Sequence, residues 1–89
     1  MSHYRYKTKG TCSKQIDFDI ENGKLSGVKF VGGCNGNLKA IGKLVEGADA
    51  DTIAKILDGN TCGERPTSCG DQLSKAIHGA LTGELESVD

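Results

Sequence analysis

The sequence predicts an α+β domain, a three-stranded antiparallel sheet followed by three helices packed on one of its faces. Three observations carry this prediction. Apolar residues alternate at period two through the first third of the chain. Asn22-Gly23 lies between two of the alternating runs, and after Gly32-Gly33 the apolar spacing lengthens to that of a helix.

The first strand is read from Tyr4, Tyr6 and Thr8 alternating with Arg5, Lys7 and Lys9. In the second, Ile16, Phe18 and Ile20 alternate with Asp17, Asp19 and Glu21. Asn22-Gly23 is a two-residue hairpin signal, because both central residues of such a turn need positive φ. The return strand carries Leu25, Val28, Phe30 and Val31, with Gly27 marking a bulge. Leu38, Ile41, Leu44 and Val45 then recur at helical spacing, with Asn35 or Asn37 as cap and Gly47 as stop. A second helix is expected over 51–58, capped by Asp49, with Ile53, Ile56 and Leu57 as its apolar face and Gly59 at its end. The last helix shows the best apolar stripe, Leu73, Ala76, Ile77, Ala80 and Leu81. Ser68 with Asp71 three residues on resembles a capping box at its start. Residues 1–83 are expected to form the domain and 84–89 a frayed tail.

The 89 residues make one small domain with few aromatics and no Trp, so a metal or covalent staple is physically useful. A net charge of −1 gives no electrostatic case for nucleic acid or an acidic membrane surface. The basic residues Arg5, Lys7, Lys9 and Lys14 and the acidic Glu84, Glu86 and Asp89 read as solvated faces. No apolar run is long enough for a signal segment or a membrane span, so a cytoplasmic protein with reduced thiols is expected. The edge over Tyr4–Lys9 offers a surface for a dimer, although its charges discourage pairing.

Chemistry is sought at Cys12, Cys34, Cys62 and Cys69, each next to glycine or one residue from it. Glycine lets backbone N–H groups approach a sulfur closely. Cys69 falls at the first position of the last helix and Cys34 just before the first, where the helix dipole favours a thiolate. Four thiolates satisfy tetrahedral zinc and equally a small iron–sulfur cluster. Lys14 and Arg65, close in sequence to these ligands, would offset part of the negative charge. The spacings of 21, 27 and 6 intervening residues include no C-x-x-C knuckle. Zinc, an iron–sulfur cluster, and a redox dithiol formed by Cys62 and Cys69 therefore all stay open.

Other candidates are weaker. Gly32-Gly33-Cys34-Asn35-Gly36-Asn37 before a helix suits a phosphate, yet it matches neither a Rossmann fingerprint nor a P-loop, so nucleotide binding has little support. His78 lies off the apolar stripe and reads as solvated, and His3 belongs to an exposed arm. Asp17, Asp19 and Glu21 share the outward face of a strand and suggest no paired-carboxylate catalysis.

Thr67-Ser68-Cys69-Gly70-Asp71-Gln72-Leu73 resembles the motif that names the TSCPD domain family. Tyr6–Lys14, Gly32–Leu38 and Leu44-Val45-Glu46-Gly47 match a small stand-alone version of that family, and the similarity covers about residues 4–82. Gly70 stands where the family name calls for proline, which loosens the first helical turn without removing a ligand. Such domains occur at the C-terminus of adenosylcobalamin-dependent ribonucleotide reductases. The resemblance thus implies association with ribonucleoside-diphosphate reductase and deoxynucleotide synthesis, and not catalysis by these residues alone. A more distant similarity links Cys12, Cys34 and Cys69 to the NifU-like iron–sulfur scaffold family. Ser13-Lys14 replaces that family's Gly-Asp and Ser68 its histidine, which argues for a static site over cluster transfer.

Overall fold

A computed structural model of the protein describes residues 2–8, 13–32, 35–60 and 67–88. The elements run β1 (Ser2–Lys7), β2 (Ser13–Glu21), β3 (Lys24–Gly32), α1 (Asn35–Val45), α2 (Ala50–Leu57) and α3 (Cys69–Thr82). The sheet has the order β1-β2-β3 with antiparallel neighbours, so the expected α+β arrangement is present.

The alternation works as the sequence suggests. Tyr4 lies opposite Phe18 and Tyr6 opposite Ile16 on the apolar face, and the Tyr4 and Phe18 rings stack with centroids 5.4 Å apart. On the other face Arg5 meets Asp17 and His3 meets Asp19. Asn22 and Gly23 turn the hairpin with φ of 52° and 77°. The bulge sits at Gly27-Val28, two residues facing Phe18 alone, with Gly27 at φ 59°. Its N–H donates to the Glu46 carboxylate at 3.0 Å, which ties the bulge to the end of α1.

Ile16, Phe18, Leu25, Leu73 and Ile77 are fully buried and form the centre of the core, each contributing about 1.5–3 kcal/mol. α1 packs on β3, α3 lies across β2, and α2 packs against α3. The faces of α1 and α2 differ from the expectation in a common way. Leu44 is 82% exposed and Ile56 67% exposed. The inward stripes are Leu38, Ile41, Gly42 and Val45 on α1, and Ala50, Ile53, Ala54 and Leu57 on α2. Small residues at three of these positions, Gly42, Ala50 and Ala54, let the helices come close, which a search for large apolar side chains overlooks. α1 begins at Asn35, so Asn37 lies within the helix.

Gly42 marks the closest approach. A Cβ built there would lie 2.8 Å from the Val28 carbonyl oxygen, a backbone atom held in the sheet. Alanine favours a helix by about 1 kcal/mol over glycine, but here the helix must shift to accept it. Gly42→Ala is expected to destabilise by about 1–2 kcal/mol, read as a lower denaturant midpoint.

The segment between α1 and α2 runs beside the start of β3. Gly47 N–H donates to Leu25 O at 2.7 Å, Leu25 N–H to Ala48 O at 2.8 Å, and Ala50 N–H to Gly23 O at 2.8 Å. Asp49 then caps α2 by accepting from Thr52 N–H at 3.0 Å. Past Gly83, Leu85 packs against the core, its N–H donates to Gly79 O, and Val88 N–H donates to His3 O. Among the described residues no helix is long and apolar enough to cross a membrane.

Candidate functional site

The start of α3 gathers the most polar groups in the interior. Ser68 is the N-cap, and its hydroxyl oxygen accepts from Asp71 N–H at 3.1 Å. The same hydroxyl donates to Asn60 O, while Asn60 Nδ2 donates back to it at 3.3 Å. Only half of a capping box is realised. The Asp71 carboxylate accepts from Gly59 N–H at 2.7 Å, from the Thr67 hydroxyl and from the Lys75 ammonium at 2.5 Å. Gln72 Nε2 completes the network by donating to Thr67 Oγ1 at 3.0 Å.

Asp71 is 1% exposed, and its carboxylate serves these donors in place of the second half of the capping box that its spacing from Ser68 suggests. Burial pushes its carboxyl pKa up, but the donors from Lys75, Thr67 and Gly59 outweigh burial and hold it below the usual carboxylate range. The one available signal was the threonine four residues earlier paired with the lysine four residues later. Gly70 fits its place closely. A Cβ there would meet Asn60 Nδ2 at 3.2 Å and Leu57 Cδ2 at 3.6 Å, both ends of side chains able to yield. A side chain at this position would therefore need Asn60 to give way by a few tenths of an ångström.

Cys69 is the first residue of α3, as expected, and its thiol is free and half-buried. Its sulfur lies 3.1 Å from the hydroxyl oxygen of Ser13, a residue only 3% exposed at the start of β2. Cys12, Cys34 and Cys62 lie outside the described residues, as do Arg65 and the Gly33-Cys34 turn proposed for phosphate. Their sequence neighbours, however, converge. Ser13, which follows Cys12, touches Cys69 and lies opposite Gly32, two residues before Cys34. Asn60, two residues before Cys62, is bonded to Ser68, the neighbour of Cys69. Among the described residues no three His, Cys, Asp or Glu side chains are grouped to hold a metal, and three of the four expected ligands are not among them.

Lys14 is exposed on β2, beside Ser13 in the chain. His78 is exposed as expected and borders a groove of about 700 Å³ with Tyr6, Lys55, Lys75 and Glu84. His3 differs from the expectation of a free arm. β1 starts at Ser2, the register sets His3 opposite Asp19, and its Nδ1 is 2.7 Å from that carboxylate. Asp17 accepts from Arg5 Nε at 3.2 Å and Gln15 Nε2 at 3.0 Å on the outward face, a surface network with no catalytic geometry.

This is a small α+β domain whose signature residues form the latch of its last helix, with one sulfur facing the neighbouring strand. The chain matches the family model of the TSCPD domain over residues 2–81 and belongs to that family. No curated protein and no solved structure matches it.

Proposed function

We propose that Cys12, Cys34, Cys62 and Cys69 bind one zinc ion as thiolates, and that the domain works beside ribonucleotide reductase in deoxynucleotide synthesis. The observation that carries the metal reading is convergence. Ser13 and Asn60 touch the start of α3, where Cys69 lies, and Gly32 pairs with Ser13; each of the three is within two residues of a different cysteine. Consecutive Cα atoms are about 3.8 Å apart, so such neighbours keep a cysteine within reach of the same place. Four sulfur donors of one type suit a closed, tetrahedral structural site. The N-terminal N–H groups of α3 offset part of its negative charge in this reading, and Lys14, the residue after Ser13 in the chain, is a further source of positive charge. In this reading the cysteines staple the sheet end to α3, and the Asp71 network holds α3 ready for them.

The reductase association is supported by the family. In this reading the domain is a binding module, and reduction of the nucleotide is left to the reductase. Elemental analysis of protein purified without added metal tests the site, with one zinc per chain expected. Thiols are expected to react fully only after chelation. A chain with four reactive thiols and no stoichiometric metal would end the reading, and iron with visible absorbance after anaerobic purification would replace zinc with an iron–sulfur cluster. Co-purification with ribonucleotide reductase tests the partner, and its failure at micromolar concentrations would remove that half.

A further inference from the structure

We infer that Ser13 is a positioning residue of this site, donating a hydrogen bond from its hydroxyl to the Cys69 sulfur when that sulfur serves as a ligand. The inference rests on the zinc reading and adds a group outside the cysteine set. The geometry is direct: Ser13 Oγ lies 3.1 Å from Cys69 Sγ, and the serine is 3% exposed. A thiolate carries no proton, so in the metal-bound state the hydroxyl must be the donor and the sulfur the acceptor.

Ser13 is held from both sides. Its carbonyl accepts from the Thr8 hydroxyl at 2.5 Å, and its backbone lies opposite Gly32 of β3. Thr8 N–H donates to Lys14 O at 3.2 Å, fixing the next peptide as well. The oxygen is thus presented by a strand anchored to both neighbours, which is how outer hydrogen bonds orient metal ligands and tune their donor strength. A hydrogen bond to a ligand thiolate lowers the energy of its lone pairs and shields it from electrophiles. The inference gives the Cys69 sulfur an outer hydrogen bond that tunes it, with Ser13 as the source.

Cobalt(II) loading of the full chain tests this, because the thiolate-to-cobalt charge-transfer band reports on the sulfur itself. Ser13→Ala is expected to move that band to longer wavelength and to weaken cobalt binding about 10-fold in competition with a chromophoric chelator. Ser13→Thr, which keeps the hydroxyl, is expected to restore both. Should Ser13→Ala not fold, Ser13→Val against Ser13→Thr gives the same comparison at matched shape. A wild-type band and affinity in the hydroxyl-free variant overturns the role of Ser13 while leaving the metal site standing. Wild-type protein that takes up no cobalt overturns the metal reading, and this inference with it.

Discussion

Replacing Asp71 by alanine is expected to lower the melting temperature by about 10–20 °C. The substitution removes one acceptor from three donors at once: Gly59 N–H, the Thr67 hydroxyl and the Lys75 ammonium. Lys75 is 52% exposed and regains water, so its share is small. The buried hydroxyl and the backbone N–H lose more, and the sum is about 2–4 kcal/mol. In a domain of this size each kcal/mol shifts the midpoint by about 4–8 °C. Asp71→Asn keeps the shape but turns part of the acceptor into a donor, and an intermediate loss is expected. Scanning calorimetry of the three chains is the check, and a variant melting within two or three degrees of wild type (about 0.5 kcal/mol) would show the latch to be dispensable.

The same carboxylate gives a pH dependence with a definite sign. Its pKa is lowered in the folded state, whereas the unfolded chain has the ordinary Asp value of about 3.9. Above that value both states are ionised and the contribution is complete. Below it the unfolded state takes up the proton first, so stability falls with pH until the folded group titrates as well. The wild type is therefore expected to lose stability on acidification below about pH 4, and Asp71→Ala is expected to show a shallower acid slope.

On the zinc reading proposed above, removing the ion is expected to cost more than any single substitution in the core. A bound ion stabilises the folded state by an amount that reaches about 4 kcal/mol at a thousandfold excess over its dissociation constant. Structural zinc sites exceed that, because the ligand set is assembled only in the folded chain. With an 89-residue chain burying little more than about 60% of its unfolded surface, the remaining core leaves a narrow margin. Chelation is thus expected to lower the melting temperature by at least about 15 °C, and one equivalent of zinc to restore it. Cys69→Ser is expected to lose most of this response, since a hydroxyl is a poor zinc ligand at neutral pH. A melting curve indifferent to chelator in a zinc-loaded chain would show that the ion holds nothing together.

Much of the architecture was legible because period and turn chemistry are local. Ile16, Phe18 and Ile20 announce β2, Asn22-Gly23 closes the hairpin, and Leu73, Ala76 and Ile77 give the buried stripe of α3. The errors have one physical source. Leu44 and Ile56 each stand six residues past the first inward residue of their helix, about 120° off its direction. Large side chains there looked inward, but Gly42, Ala50 and Ala54 make the close contacts. At the candidate site, sequence placed Cys69 at the first position of α3 and found the capping hydroxyl of Ser68. It could not find the Gly59 N–H that meets Asp71 or the approach of Ser13 to Cys69, because those contacts join residues 12 and 56 positions apart in the chain. Charge in the interior is legible only once its donors are known.

The strand formed by Lys24–Gly32 would ordinarily present open amides where it leaves the hairpin. The peptides of Gly47, Ala48 and Ala50 already engage Leu25 and Gly23, so the hairpin end of that flank is occupied. On the far flank, Arg5 and Lys7 stand along β1 and Val88 has taken the His3 carbonyl. Such paired and charged stretches make the sheet a poorer template for edge-to-edge growth between copies of the chain.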